Sequence, residues 1–78
     1  MRQDLRSARL KKGLSVADMA GLTGVKVRFY HMVEAGTRNP RMPMAFTIAR
    51  LLGRTVEELF PDLVGTAYPS KSTTAEGR

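Results

Sequence analysis

Apolar side chains return every three or four residues in five short bursts along this chain, and each burst is closed by a glycine or a proline. The period is helical, because side chains three or four apart share one face of an α-helix. Leu5, Ala8 and Leu10 are the inward residues expected of a first helix over residues 2–12, with Gly13 behind it where a left-handed cap is wanted. A second opens at Ser15, whose hydroxyl can accept from the free amides of the first turn. Asp18, three residues on, gives a weaker form of the capping box. Val16, Met19 and Ala20 carry this helix to a break expected at "GLTG", residues 21–24.

The third burst, "VRFYHMVEA" over residues 27–35, has two faces. Phe29, Tyr30 and Val33 fall on one side and predict core. Arg28, His31, Met32 and Ala35 fall on the other, with Val27 beside them, and predict an outward surface. A loop, "GTRNPRMP", follows, since Gly36 can end a helix and Pro40 cannot continue one. The fourth helix begins near Pro43 and carries Met42, Ala45, Phe46, Ala49 and Leu52 at helical spacing up to Gly53. Thr55 and Glu58 form a full capping box over a short fifth helix of Val56, Leu59 and Phe60, which Pro61 stops. No strand alternation and no repeat is present. The pattern predicts an all-α domain of five helices over residues 1–64. From Gly65, "GTAYPSKSTTAEGR" is small, polar and aperiodic, so residues 65–78 are expected to be a disordered, flexible C-terminal tail.

Composition changes this picture in two ways. With 78 residues and no cysteine, the core must hold by packing alone, which suits a reducing cytoplasm. No apolar run approaches the roughly 18 residues that span a bilayer, so no membrane partner is expected. The second change comes from charge: the net value is +6 and the pI about 10.6. Residues 1–41 hold nine bases and three acids, whereas residues 42–78 hold four of each. An excess confined to the half that carries the two-faced helix points to a polyanion, nucleic acid above all.

Two short helices joined by a tight glycine turn, the second basic and partly apolar, form a helix-turn-helix pattern. At this point residues 5–60 resemble the Cro and phage-repressor family of bacterial regulators, the xenobiotic-response-element-like class. "LRSARLKKGLS" resembles its first helix and exit, and "VADMAGLTGV" its helix, turn and entry into the recognition helix. "VEAGTRNP" resembles its Glu-x-Gly-x-Arg-x-Pro run, and "IARLLGRTVEELF" its last two helices. The resemblance implies a lambda-repressor-like DNA-binding fold in a bacterial or phage-encoded cytoplasmic protein, with Arg9 and Glu34 paired across it. Ala20 would sit at the close crossing of the second and third helices, and Gly24 in the turn. Three positions depart from the family: Val16 stands where it usually has Gln, Lys26 where it has a Ser or Thr cap, and Tyr30 where it has an aliphatic.

The resemblance places the DNA-facing residues on the third helix and its flanks. Arg28, in its first turn, carries a planar fork suited to O6 and N7 of guanine. Val27 and Met32 can either meet a thymine methyl or pack partly into the core. His31 has no second histidine or cysteine with it and is read as a polar contact, not a metal ligand. Lys26, Arg38 and Asn39 suit phosphate oxygens. Ser15 and Val16, where the second helix starts, occupy the family's backbone-contact position. The expected partner is a double-stranded operator, bound by a homodimer whose contact, by the resemblance, would lie near Leu59, Phe60, Leu63 and the loop after Gly53, with burial in its own core equally open for Phe60. No cofactor and no small-molecule ligand is indicated. Catalysis is disfavoured, since Glu57 and Glu58 diverge by about 100° on a helix, Ser15 serves better as a cap, and "GLTG" is too short to cradle phosphate. Two other readings stay open: an antitoxin-type module that grips a protein partner and its own operator, and RNA binding, which the recognition-helix pattern suits less well.

Overall fold

The computed structural model describes residues 1–68, which fold into five helices with no extended strand among the described residues: α1 (Gln3–Lys11), α2 (Val16–Thr23), α3 (Val27–Ala35), α4 (Met42–Leu52) and α5 (Val56–Leu59). The start of α2 is set by a reciprocal cap. The Ser15 hydroxyl accepts from the Asp18 amide at 2.9 Å, and the Asp18 carboxylate accepts from the Ser15 amide at 2.8 Å. Those bonds hold the Asp18 carboxyl below its ordinary range. Thr55 and Glu58 close the same box over α5, at 3.1 and 3.0 Å.

The break expected at "GLTG" falls later and is sharper. Gly21, Leu22 and Thr23 continue α2, with the Thr23 hydroxyl donating to the Met19 carbonyl at 2.7 Å. Only Gly24 turns the chain, at φ +75°, after which the Val25 amide donates to the Ala20 carbonyl. The hinge lets α2 and α3 pack on each other more extensively than any other pair of helices. Ala20 is buried, as the expected close crossing requires.

The core is a single cluster. Leu5 and Ala8 of α1, Met19 and Ala20 of α2, and Tyr30 and Val33 of α3 meet Ala45, Ile48, Ala49 and Leu52 of α4. Val56, Leu59, Phe60, Leu63 and Tyr68 close it from the C-terminal side. Each large apolar side chain removed from water here contributes about 1.5–3 kcal/mol.

Several side chains and one boundary sit differently from the sequence expectation. Leu10 is 52% exposed, because Arg9 takes the inward position and brings a buried charge pair with it. Phe46 is 40% exposed while Ile48 is buried, so the inward stripe of α4 runs Ala45, Ile48, Ala49, Leu52. Leu59, Phe60 and Leu63, among the sequence-based candidates for a dimer contact, are buried in the protomer's own core, the alternative left open for Phe60. The tail does not begin at Gly65. Residues 65–68 fold back as turns, Val64 bridges Tyr68, and the buried Tyr68 hydroxyl donates to the Pro40 carbonyl. The rest of the expected tail, residues 69–78, lies outside the described residues.

Both tyrosines of the chain are buried. Burial pushes the Tyr30 phenol up, and the neighbouring Glu34 charge adds to it; burial likewise raises Tyr68. A folded-state pKa above the unfolded value gives stability that is complete below the unfolded pKa of about 10 and lost as pH rises through the folded one. Absorbance at 295 nm should therefore show almost no tyrosinate in the native protein at about pH 10, with thermal stability falling above that point. A titration centred near pH 10 in the folded protein would mean that neither ring is enclosed.

Candidate nucleic-acid interface

The orientation of α3 is fixed from its C-terminal half. Glu34 is buried and receives two parallel bonds from the Arg9 guanidinium, Nε to Oε2 and Nη2 to Oε1, both at 2.8 Å. The Tyr30 hydroxyl donates to Oε2 of the same carboxylate at 3.1 Å, one turn back. Arg9 Nη1 also donates to the Leu14 carbonyl at 2.8 Å, so one guanidinium ties α1, the α1–α2 turn and α3 together. The hydrogen bonds and charge of Glu34 hold Arg9 even more firmly protonated than usual. The Arg9–Glu34 pairing implied by the family resemblance is present.

With Tyr30, Val33 and Glu34 facing in, the opposite face of α3 is bare. Arg28 and His31 are exposed, Val27 is 50% exposed, and Met32 and Ala35 are half-buried. Phe29, expected in the core, is half-buried and packs against its edge. At the start of the helix Lys26 has extended backbone (φ −74°, ψ 149°) but no side-chain cap. The amides of Val27, Arg28 and Phe29 have no intrahelical acceptor, and the partial positive charge of the helix end is left uncompensated. Such an end suits an anion. Ser15 is exposed and engaged in its capping box, and Val16 is half-buried against the core, so the start of α2 offers less polar surface than the resemblance implied.

At the other end Gly36, at φ +90°, turns the chain into the loop that leads to α4. The amides of Thr37 and Arg38 both donate to the Met32 carbonyl, and Arg38, Asn39 and Arg41 are exposed. Under the loop lies a residue that sequence reasoning passed over. Arg2 is only 7% exposed, and its guanidinium donates to the carbonyls of Val33 and Arg38, to Asn39 Oδ1 and to both oxygens of Asp62. The same guanidinium stands 5.3 Å over the Phe60 ring, a cation–π distance. A basic residue just before a helix reads as surface, and its partners lie far away in sequence; no local signal could have found it.

This sorts the charge of the first 41 residues. Of the nine bases, Arg2 and Arg9 are buried and ion-paired, while Arg6, Lys11, Lys12, Lys26, Arg28, Arg38 and Arg41 are exposed. Against these seven only Asp4 and Asp18 are exposed acids, since Glu34 is enclosed with Arg9. The exposed side chains of this stretch therefore keep +5 of its net +6 (seven bases less two acids).

A family model described as Helix-turn-helix matches residues 5–59, the whole run from the core of α1 to the end of α5. The chain belongs to this helix-turn-helix family. It is the Cro and phage-repressor class of DNA-binding transcriptional regulators, in agreement with the fold and with the exposed face of α3. An uncharacterized HTH-type transcriptional regulator of Archaeoglobus fulgidus is 33% identical over 60 residues, which cover 77% of this chain and 86% of that protein. The crystal structure of an HTH_3 family transcriptional regulator from Vibrio cholerae aligns with a TM-score of 0.62 and 28% identity over 78% of this chain. The chain spans only about a third, 34%, of that solved protein. Both relatives are described as regulators and neither as an enzyme. No helix among the described residues is long and apolar enough to cross a membrane. Arg2, Asp62 and Tyr68 lie outside the family-matched stretch, while Val33, Arg38, Asn39 and Pro40, which they bond, lie within it.

The uncapped start of α3 gives a direct test. Lys26→Ser supplies the missing acceptor and should stabilise the domain by about 1 kcal/mol in urea unfolding. No gain would mean that the first amides of α3 already have partners.

Proposed function

We propose that this chain binds operator DNA as a homodimer, laying α3 into the major groove of two half-sites, and that it represses or autoregulates transcription. The observation that carries the reading is the two-sided α3: one face is locked into the core through Tyr30, Val33 and Glu34, while the other leaves Arg28, His31 and Val27 uncovered. In this reading Arg28 takes a guanine edge, Val27 meets a thymine methyl, and His31 and Met32 line the same surface. Lys26 and the bare amides beside it grip phosphate at one end of the helix, and Arg38 and Asn39 grip it at the other. Ser15 and Val16 stay at the periphery.

A module this small gains specificity by pairing half-sites about one helical turn apart. Because Leu59, Phe60 and Leu63 are enclosed, the surface that suits a second copy is the groove beside Phe46. It is lined by Ala49, Arg50, Arg54, Val56 and Glu57. An exposed aromatic ring flanked by charges of both signs, without an ion-pair partner among the described residues, is self-complementary, since a two-fold axis can set the arginines of one copy against Glu57 of the other.

Selection from random duplex DNA should yield an inverted repeat. Arg28→Ala should cost about 1–3 kcal/mol on the best site and flatten preference at one base pair of each half-site. Phe46→Glu should keep the helical fold and leave binding to single half-sites. Enrichment of an asymmetric site at 1:1 stoichiometry would refute the dimer, and equal losses on specific and scrambled duplexes would make Arg28 a phosphate contact.

A further inference from the structure

The loop after α3 carries an orientation that the buried guanidinium of Arg2 imposes. An arginine can only donate, so the oxygen of any amide facing it must point towards it. Arg2 Nη2 lies 2.8 Å from Asn39 Oδ1, and the Nδ2 end of Asn39 is thereby directed away. Asn39 is exposed, and among the described residues Nδ2 has no acceptor. Arg2 itself is held from several sides, so it is not free to turn. All five of its N–H donors are engaged, by Val33 O, Arg38 O at 3.0 Å, Asn39 Oδ1, and Asp62 at 3.0 and 3.3 Å. Its backbone amide donates to the Glu34 carbonyl at 2.9 Å, and Phe60 underlies its guanidinium plane.

We propose that Arg2 is a positioning residue for nucleic-acid binding: by holding Asn39 Oδ1 it presents Asn39 Nδ2 outward as a neutral donor to a phosphate oxygen, next to the charged Arg38. The inference rests on the DNA-binding reading above. It gives the loop two phosphate donors of different kinds. Arg38 is a flexible cation whose contact displaces counterions and weakens with salt. Asn39 is a pre-set dipole whose contact is directional and carries no net charge.

The two kinds separate when affinity for the selected duplex is measured against salt. Asn39→Ala should weaken binding about tenfold without changing the salt slope, since a hydrogen bond to a charged oxygen is lost but no cation. Arg38→Ala should reduce the magnitude of the slope by about one. In an Arg2→Ala background, checked for helical content at a temperature below its melting, Asn39→Ala should cost little more, because the amide is already unaligned. Full additivity of the two losses overturns the positioning role. Side-chain amide spectra of the unmutated protein decide the matter even if Arg2→Ala fails to fold. The Asn39 Nδ2 protons should shift on adding duplex, and a pair that stays unmoved at saturation overturns the proposal. A loss at Arg38→Ala with none at Asn39→Ala removes only this inference, whereas no loss at Arg28, Arg38 or Asn39 removes the DNA reading with it.

Discussion

The bidentate bond between Arg9 and Glu34 is the constraint on which the rest of the domain depends. Both side chains are buried, so each has lost its water and neither can be left alone. Removing one partner of such a pair costs about 3–5 kcal/mol, a large share of the roughly 5–15 kcal/mol that holds a small domain together. An apolar pair of the same volume would serve stability as well. What the ions add is geometry: a planar fork meets a planar carboxylate in one arrangement only. Tyr30 donates to the same carboxylate from one turn earlier, so the rotation of α3 about its own axis is set at two points. The exposed face of α3 is a consequence of that setting.

A second buried guanidinium extends the same logic to the loop. The Arg2 amide bonds to the carbonyl of Glu34, and its side chain gathers Val33, Arg38, Asn39 and Asp62. The two networks therefore meet at the C-terminal end of α3, where the helix stops and the exposed bases of the loop begin. Asp62 is itself half-exposed, and its partner Arg2 is not. Its ion pair contributes less through Coulomb attraction than through closing the donor set of a buried cation, which would otherwise be costly to enclose. Tyr68 completes the arrangement from the other side by bonding to Pro40, so the loop between α3 and α4 is braced by residues from both ends of the described chain.

Local rules made the frame legible in the sequence. Capping boxes at Ser15 and Thr55 and the glycines that end α3 and α4 depend on residues two to four apart and are where the pattern put them, while the break after α2 narrows to Gly24. The Arg9–Glu34 pair is not local; it was legible because the family resemblance supplied it. The misreadings came where one helical position competes with its neighbour. Arg9, not Leu10, takes the inward place and pairs with Glu34, and of the two side chains that flank the Ala45, Ala49 and Leu52 stripe on either side, Ile48 and not Phe46 is the one turned into the core. Arg2 and Tyr68 were invisible for a different reason: a charge at a helix entrance and a tyrosine in a polar stretch find their partners only after the chain has folded. Of the site, Arg28, His31, Lys26, Arg38 and Asn39 are placed on the surface as the sequence suggested, while what orients Asn39 was not.

The division of the bases into buried and exposed sets links stability to the proposed binding. Inside, two guanidiniums are paired with carboxylates, carbonyls and one side-chain amide, and they organise the fold. Outside, seven bases of the first 41 residues stand with two acids among them, an arrangement whose self-repulsion the free protein must tolerate. The same holds at the start of α3, where Lys26 occupies a position that a hydroxyl would cap better. A helix end left positive and a surface left uncompensated both destabilise the free domain slightly, and a phosphate chain relieves both at once. The uncapped amides lie at the start of α3, beside the face that the buried networks turn outward, and on the proposed reading the partner that relieves them approaches from that side.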